Sequence, residues 1–455
     1  MISEVNEFLT GIEKTAWELR SISDELGDWS HKGKRVSATG WMLTKLVADY
    51  RAFGIYSAFL TRKKSAEVRE KLHRRNARRF YDTSVAQKGA FLKLGQMLSA
   101  RPDLLPASWV AQLAGLQDDA PAEPFESIRA VIEAELGPIA ERFRSFDEVP
   151  LAAASIGQVH RAVTRDGREV AVKVQRPGIA ELIEHDLSLL EVFLEAMKGM
   201  LPPADYPTIT TEVRERVRGE LDYPAEAQSM TEVARFFEDM PGVRVPRPIG
   251  ELCGARVLTA EYIEGEKITT RLDGASPEER SEILGTLLEV YLRQILEAGR
   301  FQADPHPGNF LVTRAGDLVL LDFGCMRLLD DQVRLGYREL VQLFLAGDRE
   351  RLAALFERLG FQTRSGRPDT LQAFAGALLD GFRQAAAKGT FAWPTREELF
   401  ASASGVMAAA QDDPVTRIPP EFVMIGRVFG TLGGLFQHYR PQIDYARRVL
   451  PHLFK

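Results

Sequence analysis

The spacing of apolar positions divides the chain into helical and strand stretches. From residue 3 to about 82, apolar positions such as Trp17, Leu19, Ile22 and Leu26 recur at mixed three- and four-residue steps, which predicts helix throughout. A helix with one small and apolar face follows from residue 86 and is closed by Pro102 and Pro106. Residues 116–124, with their acidic pair and prolines, read as a polar connection. Residues 125–143 read as helix again. At Ala152 the pattern becomes that of a strand, Asp166-Gly167 is a hairpin turn, and Glu169 to Val174 is the return strand.

Two long helices are predicted next, at 179–200, ended by Pro202-Pro203, and at 208–238. Short strands at 244–249 and 255–263 lead to Glu264-Gly265, which has the look of a hinge. Ser276-Pro277-Glu278-Glu279 opens a helix, with proline at the first helical position and acids in the first turn. Phe301 to Val312 reads as a loop and a strand, and Val319 to Asp322 as a second strand after a turn. Beyond Arg327 the pattern is helical, with breaks near Gly347, Gly366, residues 389–394 and 414–420, and Pro441.

Composition narrows the class only a little. The 455 residues are 45% hydrophobic and 27% charged, as in an ordinary soluble chain of two or three domains or one large two-lobed one. A net charge of -6 is not that of a molecule built to coat nucleic acid. Cys253 and Cys325 lie far apart and offer neither a disulfide framework nor a zinc spacing, which fits a reducing compartment. The N-terminal residues have no apolar signal core, and no apolar run reaches the ~18 residues that a spanning helix needs. The nearest, 422–436, is broken by Arg427; its Gly426, Gly430 and Gly434 suit close helix packing, here against protein.

The candidate chemistry lies in four separated elements. Asp304, Asn309 five positions on, and Asp322-Phe323-Gly324 after a hairpin have the layout of a protein-kinase catalytic centre. Asp304 is the expected carboxylate near an acceptor hydroxyl; Asn309 and Asp322 are the expected oxygen ligands of Mg²⁺. Val170-Ala171-Val172-Lys173 matches the strand whose lysine meets the nucleotide phosphates, and Glu226 is the candidate helix carboxylate for Lys173. Before it, Ala152-Ala153-Ala154-Ser155-Ile156-Gly157-Gln158-Val159 stands where a kinase has its glycine-rich loop. Ala152 and Ala154 replace the first two glycines and Gly157 keeps the third. Alanine disfavours positive φ, so a stiffer loop with altered nucleotide handling is expected. The expected nucleotide contacts are Ala152, Ala153, Ala154, Ser155, Ile156, Gly157, Val159 and Lys173, with Glu261 and Tyr262 ahead of the hinge. The expected cofactors are ATP or ADP and Mg²⁺. His160 and His306 suit structural hydrogen bonds better than acid–base work.

With these motifs the chain resembles the UbiB-type atypical kinases, the AarF-domain group tied to ubiquinone biosynthesis. The resemblance covers residues 81–324. It rests on Lys93-Leu94-Gly95-Gln96 (K-x-G-Q), the Ala-rich loop through His160, Glu220-Leu221-Asp222 (E-x-D) and Asp304-Pro305-His306-Pro307-Gly308-Asn309. It implies an α+β, two-lobed kinase-like fold: a small β-sheet lobe with inserted helices, a large helical lobe, and an N-terminal helical extension over the cleft. The boundaries this gives are 1–80 for the extension, 81–124 for the K-x-G-Q segment, 125–263 for the small lobe and 264–455 for the large one. It also implies a regulatory set of Lys93, Gly95, Gln96, Glu220 and Asp222, with Lys93 and Gln96 facing the cleft near the two acids. Members look like ATPases or small-molecule kinases that respond to membrane lipids. Many bacterial members end in spanning helices, for which no segment is found here. The short stretch 325–331 without an A-P-E motif also sets the chain apart from ordinary protein kinases.

The function expected is therefore an Mg-dependent atypical kinase or ATPase supporting isoprenoid quinone or other lipid metabolism. The alternatives are a phosphotransferase of the aminoglycoside or choline kinase kind, against which K-x-G-Q and the alanines argue, and a non-catalytic nucleotide-binding scaffold, against which the intact Lys173, Asp304, Asn309 and Asp322 argue. The basic stretch Arg62, Lys63, Lys64, Arg69, Lys71, Arg74, Arg75, Arg78 and Arg79 is either a solvated helix face or a surface for anionic lipid or an acidic partner. Nucleic acid ranks a distant third, because no aromatic stacking series accompanies the charge. The expected partners are a nucleotide and an anionic lipid or quinone precursor. The expected location is the cytoplasm, with membrane contact that is peripheral.

Overall fold

The computed structural model describes residues 30–57, 59–87, 92, 95, 105–116, 122–196, 206–346, 348–366, 370–371, 390–391, 413 and 415–453. In chain order the elements that matter are α1 (Ser30–Ser57), α2 (Arg62–Gln87), α3 (Ala107–Leu113), α4 (Phe125–Leu136), β1 (Phe143–Phe146), β2 (Ala152–Ala153), β3 (Gly157–Thr164), β4 (Glu169–Gln175), α5 (Ile179–Ala196), α6 (Tyr206–Gly219) and α7 (Tyr223–Phe236). Then come β5 (Val243–Arg244), β6 (Val257–Glu261), β7 (Glu266–Lys267), α8 (Pro277–Arg293), β8 (Arg300–Gln302), β9 (Phe310–Val312), β10 (Leu318–Leu320), β11 (Met326–Leu328), α9 (Asp331–Ala346), α10 (Arg349–Arg358), α11 (Pro420–Tyr439), α12 (Tyr445–Arg448) and α13 (Leu450–Leu453).

The chain forms two compact units, one of residues 1–224 with 250–259, the other of 225–249 with 260–455. This division differs from the boundary expected at 263/264: most of α7 and the β5 strand go with the second unit.

A sheet runs β1-β3-β4-β6, with β1, β3 and β4 antiparallel in the first unit and β2 folded onto β3. The expected hairpin is present with Gln158 opposite Val174, Val159 opposite Lys173 and His160 opposite Val172. Alternate residues Val170, Val172 and Val174 are fully buried, the period-two burial of a strand with one face on the core. The N-terminal helices do not stand apart from this unit. Leu46, Tyr50, Phe80 and Trp109 of α1 to α3 share one apolar core with Ile156 of the Ala-rich turn, Ile183 and Leu187 of α5, and Val217 of α6.

The second unit is mainly helical around a small sheet ordered β5-β10-β9-β7. Ser276 caps α8 as its sequence predicts, its hydroxyl accepting from the Glu279 N–H at 3.2 Å. A π-helical turn, Gln294–Ala298, follows α8 and ends at Gly299 with φ 62°, a left-handed value that suits glycine.

Four expectations from patterning are corrected. The helix expected at 3–82 breaks at residues 59–61, between α1 and α2. The one expected at 125–143 stops at Leu136, because Gly137 takes φ 82° ahead of Pro138, and its last residue begins β1. The one at 208–238 is interrupted at 220–222, so the E-x-D motif forms a turn between α6 and α7. The segment after Arg327 contains short strands, Gln362–Thr363 with Val415–Arg417 and Thr390–Phe391 with Ile443–Asp444, between its helices. Among the described residues no helix is long and apolar enough to cross a membrane.

Candidate functional site

Within the second unit, Asp304, Asn309 and Asp322 come together. His306, Pro307 and Gly308 make a tight turn in which the His306 Nδ1 accepts from the Gly308 N–H at 3.1 Å. The Asp304 carbonyl accepts from the His306 N–H at 2.8 Å. This turn brings Asn309 back beside Asp304. The Asn309 Nδ2 donates to the Asp304 carbonyl and to Asp322 Oδ2, both at 3.2 Å. Asp322 Oδ1 accepts from the Gly324 N–H at 3.0 Å. The strand pairing supplies the register: β9 and β10 put Phe310 opposite Leu320, and the Leu321 N–H donates to the Asn309 carbonyl at 3.0 Å. A local hairpin therefore carries the D-F-G aspartate to the asparagine.

Glu226, on α7, is buried in the same unit. A Cβ placed on Gly324 would lie 3.4 Å from Asp322 Oδ1 and 4.0 Å from Glu226 Oε2. The two carboxylates thus flank one glycine, where a methyl would make ordinary van der Waals contact with each. Tyr291, buried beneath the site, shows the field of this cluster. Burial pushes its phenol well above the ordinary value, and the charges of Asp304 and Asp322 add to the shift. Its hydroxyl donates to Gln302 Oε1 at 2.5 Å, and Gln294 Oε1 accepts from the Gln302 N–H at 2.9 Å. Tyr291 and Gln302 were not singled out from the sequence; Gln302, two residues before Asp304, was the available signal.

The donor set fits a hard divalent cation. Asp322 offers carboxylate oxygen, and Asn309 offers amide oxygen once its side chain rotates to turn Oδ1 rather than Nδ2 inward. Just past the site, the Ala303 N–H donates to the Cys325 carbonyl at 2.9 Å, β11 pairs with β8, and α9 begins at Asp331, so the segment after D-F-G is short.

In the first unit, Lys173 lies on β4 opposite Val159, its Nζ 4.9 Å from the centre of the Tyr223 ring, a cation–π distance. Ala152 and Ala153 pair with Val159 and Gln158 as β2, and the Ala154 N–H donates to the Gly157 carbonyl at 2.8 Å. None of these alanines has a positive φ, so alanine is unstrained there. Ser155 and Ile156 form the buried tip of the turn. Gly157 is needed for space: a Cβ there would come 2.7 Å from the Val174 carbonyl and 2.8 Å from the Tyr223 hydroxyl.

The E-x-D turn also belongs to the first unit. The Leu221 carbonyl accepts from Gln175 Nε2 at 2.6 Å, Glu220 is half-buried and Asp222 is exposed. Asp222 lines a shallow depression of about 510 Å³ with Glu181, Glu184, Arg218 and Pro224. Gly95 is buried, and a Cβ on it would collide with Leu116 and lie 3.3 Å from Phe80, which explains the glycine of K-x-G-Q. Lys93 and Gln96 lie outside the described residues. In the second unit, the Glu261 carboxylate accepts from the Arg247 N–H at 3.1 Å, so its side chain is engaged with neighbouring backbone; Tyr262 follows, half-buried.

Both histidines have structural roles. His160 Nδ1 bonds the Asp147 carbonyl and its Nε2 the Gln158 amide nitrogen, each at 2.8 Å. An amide N–H can only donate, so Nε2 is the acceptor and the ring is neutral, in line with a pKa that burial pushes down. His306 caps its own turn.

Sequence comparison supplies the family. A family model described as the ABC1 atypical kinase-like domain matches residues 115–356. An uncharacterised protein of Synechocystis is 32% identical over 439 residues, covering 93% of this chain and 72% of its own. The chloroplastic Arabidopsis thaliana protein ACTIVITY OF BC1 COMPLEX KINASE 7 is 33% identical over 392 residues, 85% of this chain and 55% of its own. The Xenopus laevis AarF domain-containing protein kinase 1 is 34% identical over 300 residues, 64% and 58%. The chain thus spans little more than half the length of these last two relatives. A solved structure, Rv3197 of Mycobacterium tuberculosis in complex with erythromycin, superposes with a TM-score of 0.62 at 26% identity, over 86% of this chain and 100% of that one. A match across more than half its length, on the motifs that meet at Asp304, Asn309 and Asp322, shows that the chain belongs to the ABC1, or UbiB-type, atypical kinase-like family and has its α+β kinase-like fold.

Proposed function

We propose that the chain is a nucleotide-dependent phosphotransferase or ATPase of the atypical-kinase kind, with ATP and Mg²⁺ as cofactors and a role in isoprenoid quinone or other lipid metabolism. The observation that carries this reading is the Asn309 amide bridging the Asp304 carbonyl and the Asp322 carboxylate. Phosphoryl transfer asks a protein mainly to position groups and to neutralise charge. Asn309 and Asp322 would hold the cation, which bound supplies charge neutralisation on the phosphates. Asp304 orients or deprotonates the acceptor hydroxyl or water. Lys173 would meet the phosphates, and Glu226 is the carboxylate proposed for it. The backbone of Glu261 and Tyr262 would meet the base, since the Glu261 carboxylate is engaged with Arg247. Lys93, Gly95, Gln96, Glu220 and Asp222 form the proposed regulatory set. The test is Asp322→Asn, which should lower Mg-dependent ATP turnover by at least about a hundredfold, the scale of losing a preorganised charge in a site. Unchanged Mg-ATP affinity and rate would place the site elsewhere.

The proposed partner surface is an anionic lipid headgroup region, contacted peripherally from the cytoplasm. Ion pairs within α1 and α2 change which cations can serve. Arg74 pairs with Glu70, Arg78 with Asp82, and Arg75 and Arg79 with Asp49. At the start of α2, Arg62, Lys63 and Lys64 are exposed and have no carboxylate partner among the described residues. The end of α1 exposes Ile55 at 45% and Tyr56 at 55%, and the turn after it exposes Phe59 at 74%. Aromatic rings beside lysine and arginine suit a membrane interface, so the contact is assigned to residues 55–64.

A further inference from the structure

The Ala-rich turn is fastened by residues outside it. Its tip, Ile156, is buried in the core built by α1, α2 and α3 with α5 and α6. Its polar side is held by Arg176, which directly follows β4. The Arg176 N–H donates to the Ile156 carbonyl and its Nε to the Ala154 carbonyl, both at 3.0 Å. Its Nη1 makes an ion pair with Glu123, in the segment that enters α4. The Glu123 N–H in turn donates to Gln158 Oε1 at 2.8 Å, and Gln158 bonds His160. The Arg176 side chain is only 10% exposed. A guanidinium at that depth needs both its anion and its carbonyl acceptor. Lysine, a point charge without the planar fork, cannot make both bonds in this geometry.

We infer that Arg176 and Glu123 form a clamp that sets the conformation of the Ala-rich turn, which makes Arg176 a positioning residue for nucleotide binding. The affinity part of this rests on the reading that the turn meets nucleotide phosphates. The physical link is the peptide plane. In a trans peptide the carbonyl and the following N–H point in opposite directions. By holding the Ala154 carbonyl, Arg176 fixes the direction of the Ser155 N–H at the tip of the turn. Backbone N–H groups of such turns are the donors that phosphates use. Glu123 lies between the helical extension and α4, and Ile156 sits in the extension's core. A movement of the extension therefore reaches the turn by two routes, one ionic and one apolar.

The experiment uses the whole chain as wild type, Glu123→Gln, Arg176→Gln and Arg176→Lys. It reads amide hydrogen exchange at residues 154–158 without nucleotide, affinities for Mg-ATP and Mg-ADP, and thermal unfolding. Glu123→Gln and Arg176→Gln should speed exchange in the turn by about tenfold or more, the factor expected from one lost charge-assisted hydrogen bond. Both should change the ratio of ATP to ADP affinity, and Arg176→Lys should restore neither reading fully. Should Arg176→Gln fail to fold, Glu123→Gln decides, because it keeps the shape and removes only the charge. Wild-type exchange in the turn and an unchanged affinity ratio in folded variants would overturn the clamp. If wild type binds neither nucleotide, the phosphate-binding reading falls and the affinity part with it, while exchange still decides whether the clamp exists.

Discussion

The turn at 152–157 and the loop at 304–309 were both expected to surround a nucleotide, yet they are held in different ways. The 304–309 loop is braced by its own residues: His306 caps Gly308, and Asn309 reaches back five positions to the Asp304 carbonyl. The Ala-rich turn is held by residues far along the chain. Glu123 meets Arg176 across 53 positions and Gln158 across 35, and Ile156 is packed among helices that come before and after it in the chain. A self-braced loop keeps its geometry wherever its hairpin goes. An externally braced turn takes its geometry from its neighbours, which makes it the adjustable one.

The largest effect should separate the two loops. Asn309→Ala removes the amide that ties Asp304 to Asp322, and ATP turnover should fall by about a hundredfold while stability changes by about 1 kcal/mol. A steady-state assay beside a urea titration checks this; turnover within a few-fold of wild type would show that the brace does not set the chemistry. Gly157→Ala should do the reverse. Its methyl meets the Val174 carbonyl and the Tyr223 hydroxyl, so about 1–3 kcal/mol of stability should be lost, read as a lower urea midpoint. An unmoved midpoint would mean that the turn yields easily, and the contrast with the 304–309 loop would weaken.

Acid should act through two buried histidines with opposite sign. Burial pushes the pKa of His160 down. The folded chain therefore binds fewer protons at this ring than the unfolded chain, and the ring's contribution to stability is lost as pH falls below about 6.5 toward the lower folded value. His452, in the second unit, lies 2.6 Å from Glu297 and 3.4 Å from Glu289. Burial opposes its protonation, but the two carboxylates prevail and raise its pKa. Its contribution is fully present below about 6.5 and is lost as pH rises through the folded value. The destabilisation caused by His160→Gln should shrink on acidification, and that caused by His452→Gln should grow. Matching trends for the two variants would contradict one of the assignments.

The smallest effect concerns α2. Reversing Arg62, Lys63 and Lys64 to glutamate should abolish flotation with anionic vesicles, each charge counting for about 1 kcal/mol. Reversing Arg74, Arg75, Arg78 and Arg79 should instead cost stability, since three carboxylates already neutralise them. Equal loss of flotation in both sets would return the contact to the whole helix.

The 304–309 loop and D-F-G were legible because their geometry is local. A five-residue step and a hairpin bring Asn309 to both aspartates, and those steps are written consecutively in the chain. The β3–β4 hairpin was legible for the same reason, through its Asp166-Gly167 turn and alternating valines. The helix breaks at 137 and 220–222 were not. Apolar periodicity continues across Gly137-Pro138, and a further helical turn at Ile139–Arg142 carries it on to the start of β1.

By itself the sequence determined the kinase-like order of motifs, the strand that carries Lys173, and the residues that meet at Asp304, Asn309 and Asp322. Only the tertiary structure decided that α1 to α3 share a core with the Ala-rich turn, that Arg176 reaches from β4 to Glu123, and that Arg75 and Arg79 of α2 are neutralised by Asp49 of α1. The reason is range. A hydrogen bond or turn between near neighbours is set by backbone dihedrals and residue type. An ion pair or apolar contact across 50 or so residues exists only after the intervening chain has folded and brought the two groups within a few ångströms.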